Sequence, residues 1–149
     1  MRSAEWQAKG DTRYNEGLDV ASCFLLRNNI VATTLNPLRD RTKQFALRVI
    51  RVVESLPPKR SANVIGNQLL RSGTSPGANY RSACRARSVA EFCAKMGIVE
   101  EELDESLYWM ELLAESELVP QKKLGLLMRE GEELLAMTVA SINTARKRK

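Results

Sequence analysis

An all-α, antiparallel up-and-down four-helix bundle is the fold this sequence predicts, and three observations carry that reading. At 149 residues the chain suits one domain with a real hydrophobic core. Hydrophobic residues make up 44% of it but aromatics only 5%, so Leu, Val, Ile and Ala must fill that core. Such a mixture favours helices over a β-sandwich, which wants more aromatic and β-branched residues. From Pro37 onward, apolar residues recur every three or four positions in four segments separated by short breaks.

Residues 1–36 carry scattered polar residues, two glycines and an Arg-Asn-Asn interruption, and read as an extension without a settled pattern. Val20 to Leu26 could make a short helix there, but no periodicity extends it. The first helix is expected to start near Pro37, since proline suits a first turn. Phe45, Val49, Val52 and Leu56 form its stripe, broadened by Ala46, Ile50 and Val53. Leu-Pro-Pro-Lys at 56–59 ends it, because two prolines remove donors and push Leu56 from helical angles.

A second helix runs from about Ser61 through Val64, Ile65, Gln68 and Leu69 into QLLRSGTSPGANYRSACRAR. Gly73 to Gly77 is not a phosphate-binding P-loop: the Gly-Lys-Ser/Thr ending is missing and no strand precedes it. Gly73, Ser75, Gly77 and Ala78 are instead small enough for another helix to approach closely. A kink or brief break is expected at Pro76, with Ser72, Thr74 and Ser75 bonding the carbonyls it frees.

Ser-Val-Ala-Glu at 88–91 opens the third helix as a capping box. Behind it Phe92, Met96, Val99, Leu103, Ser106, Met110 and Leu113 keep an unbroken three-four spacing, a continuous seam on a helix roughly 40 Å long. Glu-Ser-Glu-Leu-Val-Pro closes it, and Pro120 opens a fourth helix. Leu124, Leu127, Met128, Gly131, Leu135, Thr138 and Ile142 share one face there. The bundle is thus expected over 37–145, with a basic tail, Arg146, Lys147, Arg148 and Lys149, beyond it.

Charge and composition narrow the function. The formal net charge is +5, and acids and bases cancel in residues 1–37, so the excess lies after Pro37. A modest basic excess permits nucleic-acid binding. Histidine is absent, which removes the commonest general base and metal ligand together. Cys23, Cys84 and Cys93 form no Cys-x-x-Cys pair, and three is a poor number for a disulfide framework. A reduced, cytoplasmic setting is the plain reading. No stretch of eighteen apolar residues exists, and Leu18 to Leu35 is broken by Asp19, Arg27, Asn28 and Asn29. No signal-peptide order appears either, so a soluble chain without membrane contact is expected.

The order of residues adds a resemblance. RTKQFALRVIRVVESLP, QLLRSGTSPGANYRSACRARS, the Glu-Phe pair and DESLYWMELL closely resemble the bacterial 23S ribosomal RNA intervening-sequence proteins. That family includes accessory proteins of diversity-generating retroelements. The likeness is strong over about 38–119 and continues over 120–143 only as a helical pattern. It implies a four-helix bundle assembled into a ring, typically a homopentamer. It implies no enzymatic activity and no cofactor. Nucleic acid, chiefly RNA, and a reverse transcriptase are the partners it suggests. Arg71, Ser72, Ser75 and Asn79 match the family's second helix, and Glu91 and Phe92 the start of its third. Glu102, Glu105, Ser106, Tyr108 and Trp109 match its acidic and aromatic block. Where the family usually has glutamate three residues after the asparagine, this chain has Ser82, so any network using that carboxylate is rebuilt.

Glu100, Glu101, Glu102, Asp104 and Glu105 invite a metal reading, but the di-iron pattern needs histidine. All-oxygen magnesium binding is the lesser alternative. Pairing of Glu102 and Glu105 with Arg71 or Arg81, within the bundle or across subunits, is the favoured reading, because buried carboxylates need partners. Arg41, Arg48 and Arg51 share one face of the first helix, and Arg81 and Arg85 one face of the second. Each could simply be solvated. In a five-fold ring, however, a +5 protomer becomes about +25, which suits a phosphate backbone. These arginines and the tail Arg146–Lys149 are therefore the candidate phosphate contacts.

Tyr108 and Trp109 could stack on bases, yet their place on a packed helix favours a core or subunit contact. Cys84 and Cys93 lack a neighbouring base, and no activated serine appears, so no catalytic residue and no metal site is expected. The expectation is a non-enzymatic scaffold that binds nucleic acid. The alternative is a protein-interaction ring whose basic surface recruits an acidic partner such as a reverse transcriptase.

Overall fold

The computed structural model describes residues 37–147, and the expectations for residues 1–36 and for Arg148 and Lys149 lie outside them. The described residues form four helices and no strand: α1 (Pro37–Glu54), α2 (Arg60–Ala83), α3 (Val89–Glu115) and α4 (Gln121–Lys147). Each helix packs on its neighbours in sequence, and α1 closes against α4 through the slimmest contact of the four. Consecutive helices therefore run antiparallel around one core. The start of α1, the α2–α3 turn and the end of α4 lie at one end, with the α1–α2 and α3–α4 connections at the other.

The core follows the spacing on α3. On α1 Ile50 is exposed and Val52 and Val53 are only half-buried, as is Leu56 just beyond its end, and on α2 Val64 is exposed. Phe45 and Val49 on α1, Leu69 and Tyr80 on α2, and the whole α3 seam from Phe92 to Leu113 are buried. On α4 the seam is shifted by one residue: Leu134 is buried and Leu135 only half-buried, because Leu134 continues the line from Leu127 through Gly131 to Thr138. Ser88 caps α3 through a bond from the Glu91 amide (3.1 Å). The Glu91 carboxylate reaches back one residue further than a capping box requires, accepting from the Arg87 amide at 2.8 Å. α3 ends at a left-handed Glu117 (φ 56°), after which the amides of Leu118 and Val119 both return to the Leu113 carbonyl.

The expected break at Pro76 does not occur. α2 runs through it without interruption, and Pro76 is buried. Proline removes only the amide that would meet the Ser72 carbonyl, a loss one long packed helix tolerates. The hydroxyls do not serve that carbonyl as expected: Thr74 Oγ1 donates to Leu70 O (2.7 Å), and Ser75 Oγ accepts from Asn79 (2.8 Å). What the small residues do provide is close packing against α1. A Cβ on Gly73 would sit 2.7 Å from Val49 Cγ1, and one on Gly66 2.7 Å from Leu56 Cδ1.

Candidate nucleic-acid interface

Arg71 links α2 to the acidic block of α3. Its guanidinium donates to Glu105 Oε1 at 2.6 Å and stands 3.7 Å from Glu102 Oε1. Glu105 Oε1 also accepts from Trp109 Nε1 (3.1 Å), so one carboxylate ties a cation and an indole together. Beneath them, Ser106 Oγ lies 3.0 Å from Ser72 Oγ in a fully buried helix–helix contact. Asn79 turns back on its own helix, bonding the Ser75 carbonyl and hydroxyl. Arg81 takes no part in the cluster.

Of the two aromatics expected at a core or subunit contact, the single chain partly buries one. Trp109 packs against the core, but Tyr108 is 52% exposed, standing edge-on to Trp109 with ring centroids 5.0 Å apart. Position 108 faces outward, one residue off the buried seam through Leu107 and Met110.

Glu102 carries a tension. Its Oε2 is buried and meets no donor among the described residues, while its nearest cation stands beyond hydrogen-bond reach of Oε1. An unsatisfied buried acceptor is costly, and an apolar side chain of similar shape removes that cost. Glu102→Met is therefore expected to leave stability unchanged or raise it by about 1 kcal/mol. Urea midpoints at one fixed protein concentration measure this, and a loss of several kcal/mol would show that Glu102 has a strong partner. Among the described residues no three His, Cys, Asp or Glu side chains converge as a metal site would require.

Of the candidate phosphate contacts, Arg41 is withdrawn. It forms a bidentate pair with Glu130 (2.8 and 3.0 Å) and a third bond to Glu133 (2.6 Å), bridging α1 to α4. The hydrogen bond to Glu130 leads the effects that raise its pKa above the ordinary arginine value, outweighing its partial burial. A guanidinium so occupied is a structural clamp. Arg48, half-buried, and Arg51, exposed, continue that face of α1 away from the chain-terminal end.

Arg81, Arg85, Arg146 and Lys147 are exposed and make no ion pair among the described residues. Arg146 and Lys147 are not a detached tail, since α4 continues through them. Helix register sets their height. Gly131 on α4 faces Leu107 on α3, a Cβ there falling 2.9 Å from Leu107 Cδ2. Moving the same number of residues along the two antiparallel helices brings Lys147 level with Glu91, beside the α2–α3 turn that holds Arg85. The structure thus gathers these four cations at one end, and leaves Arg48 and Arg51 apart. Arg85 lies in that turn beyond the end of α2, not on the helix face its spacing from Arg81 had given it. Arg87, exposed in the same turn, falls outside that four-residue spacing.

Comparison with known proteins gives the lineage. A solved structure of a protein of unknown function from the S23 ribosomal protein family of Bacteroides thetaiotaomicron VPI-5482 is 32% identical, with a TM-score of 0.67. The match covers 70% of this chain and 97% of that one. No curated protein matches the chain. The family profile described as 23S rRNA-intervening sequence protein matches residues 37–140, the span of the bundle almost to its end, and the chain belongs to that family.

Proposed function

We propose that this protein is a non-enzymatic, homo-oligomeric bundle, a ring in its assembled form, that binds structured RNA or an RNA–DNA intermediate through its basic surface. The observation that carries the reading is the cluster of exposed, unpaired Arg81, Arg85, Arg146 and Lys147 at one end. Cations without an internal partner are free to neutralise phosphates and release counterions. Nothing in that arrangement reads base edges, so recognition rests on charge and shape. A ring repeats the cluster on every subunit. The exposed Val64, Ile98 and Tyr108 on the α2–α3 side are apolar surface for contact between copies.

A mobility-shift titration of a labelled structured RNA, run with light scattering on the same sample, tests both parts. Shifted RNA and a mass of several chains are expected. Free RNA at low salt would reject the nucleic-acid reading, and a monomeric mass would reject the ring.

A further inference from the structure

Charge along the bundle axis is partitioned into zones, and the partition says more than the net excess. Tyr80–Phe92 and Asn143–Lys147 make up the end that holds the α2–α3 turn. Their only carboxylate is Glu91, set against five lysines and arginines. The waist is acidic: Asp104 on α3 lies nearly level with Glu132 and Glu133 on α4, Glu101 lies about a turn nearer the pole, and all four are exposed. Of the cations at that height, Arg41 and Arg71 are held in ion pairs with waist carboxylates, while Lys43 and Arg129 are exposed. At the far end Lys59, Arg60, Lys122 and Lys123 are offset by Glu54, Glu111, Glu115 and Glu117.

Distance decides how these zones act. Fourteen residues of helix separate Lys147 from Glu133, about 21 Å at the α-helical rise. That exceeds two Debye lengths of about 8 Å at physiological salt, so the waist barely weakens the attraction at the tip of α4. Arg81, level with about residue 97 of α3 by the Ser72–Ser106 contact, stands nearer to Glu101 and feels it more. A phosphate laid along the sides, however, would meet the waist carboxylates directly.

Building on the proposed nucleic-acid binding, we infer that the contact is end-on. Arg81, Arg85, Arg87, Arg146 and Lys147 hold the phosphates, and the acidic waist keeps the strand off the flanks. Arg48 and Arg51 lie outside this contact, and Arg87 joins it.

Two charge-matched double variants of the full chain test the inference: R85A/R87A at the pole and K122A/K123A at the far end. All four positions are exposed, and equal helical circular dichroism confirms that both variants fold. Anisotropy of a fluorescein-labelled hairpin RNA is read across a salt series. The pole variant is expected to bind several-fold more weakly, with a slope of log affinity on log salt shallower by about two. The far-end variant is expected to match the wild type. Equal losses in both would overturn the inference, since net charge alone would then govern binding. Wild-type protein that ignores the hairpin but binds poly-glutamate through the pole would instead overturn the nucleic-acid reading beneath it, assigning the surface to an acidic protein.

Discussion

Replacing Phe45 by alanine is expected to cost about 3–5 kcal/mol, the usual toll of emptying a large buried aromatic site. The side chain is fully buried. Its ring crosses from α1 to α4, where a Cβ on Gly131 would come within 3.4 Å of Cε2. Because α1 meets α4 over the slimmest contact in the bundle, little else compensates. A domain of this size holds only about 5–15 kcal/mol in total, so the loss is a large share of it. The cavity should be partly refilled by G131A: the double variant is expected to be less destabilised than the two single costs added. Urea unfolding of the three variants at one protein concentration checks this. Strict additivity would mean that Phe45 and Gly131 are not coupled across the α1–α4 seam.

Gly73→Ala carries the second large effect, and its sign opposes helix propensity. Alanine in a helix interior ordinarily gains about 1 kcal/mol over glycine. Here the added Cβ would fall 2.7, 2.8 and 3.1 Å from Cγ1, Cγ2 and Cβ of Val49. Valine is stiff at χ1, so neither methyl can swing away and the helices must separate. Overpacking of this kind costs about 1–3 kcal/mol, enough to reverse the gain. Gly125→Ala is the internal control, because no atom lies within 4 Å of its Cβ position. It is expected to stabilise by about 0.5–1 kcal/mol. Thermal midpoints moving in opposite directions for the two variants would confirm the close approach of α1 and α2. A stabilised Gly73→Ala would refute it.

The helices were legible because each buries one stripe, and a stripe is a local property of sequence. The α3 seam needed no revision, and Ser88 capped where its spacing said it would. The misreadings share a cause. Pro76 signals a break locally, but α2 stays helical through it with Pro76 buried in the bundle. Arg41 looked like one of a row of surface cations, yet its partners Glu130 and Glu133 lie 89 and 92 residues away, beyond any local pattern. Arg71 and Arg81 are both candidate partners for Glu105 in the sequence, because a buried carboxylate needs a cation, and the structure chooses Arg71. The basic pole was half visible: Arg81, Arg85, Arg146 and Lys147 stood out singly. Their convergence, and the place of Arg87 among them, depends on antiparallel register.

The measurement that bears most directly on the central claim is anisotropy of a structured RNA with wild-type protein over about 50–200 mM salt. Binding that weakens steeply as salt rises, with log affinity falling linearly on log salt, is the predicted result, the slope counting phosphates neutralised. Affinity that is absent at the lowest salt, or flat across the series, would contradict the account.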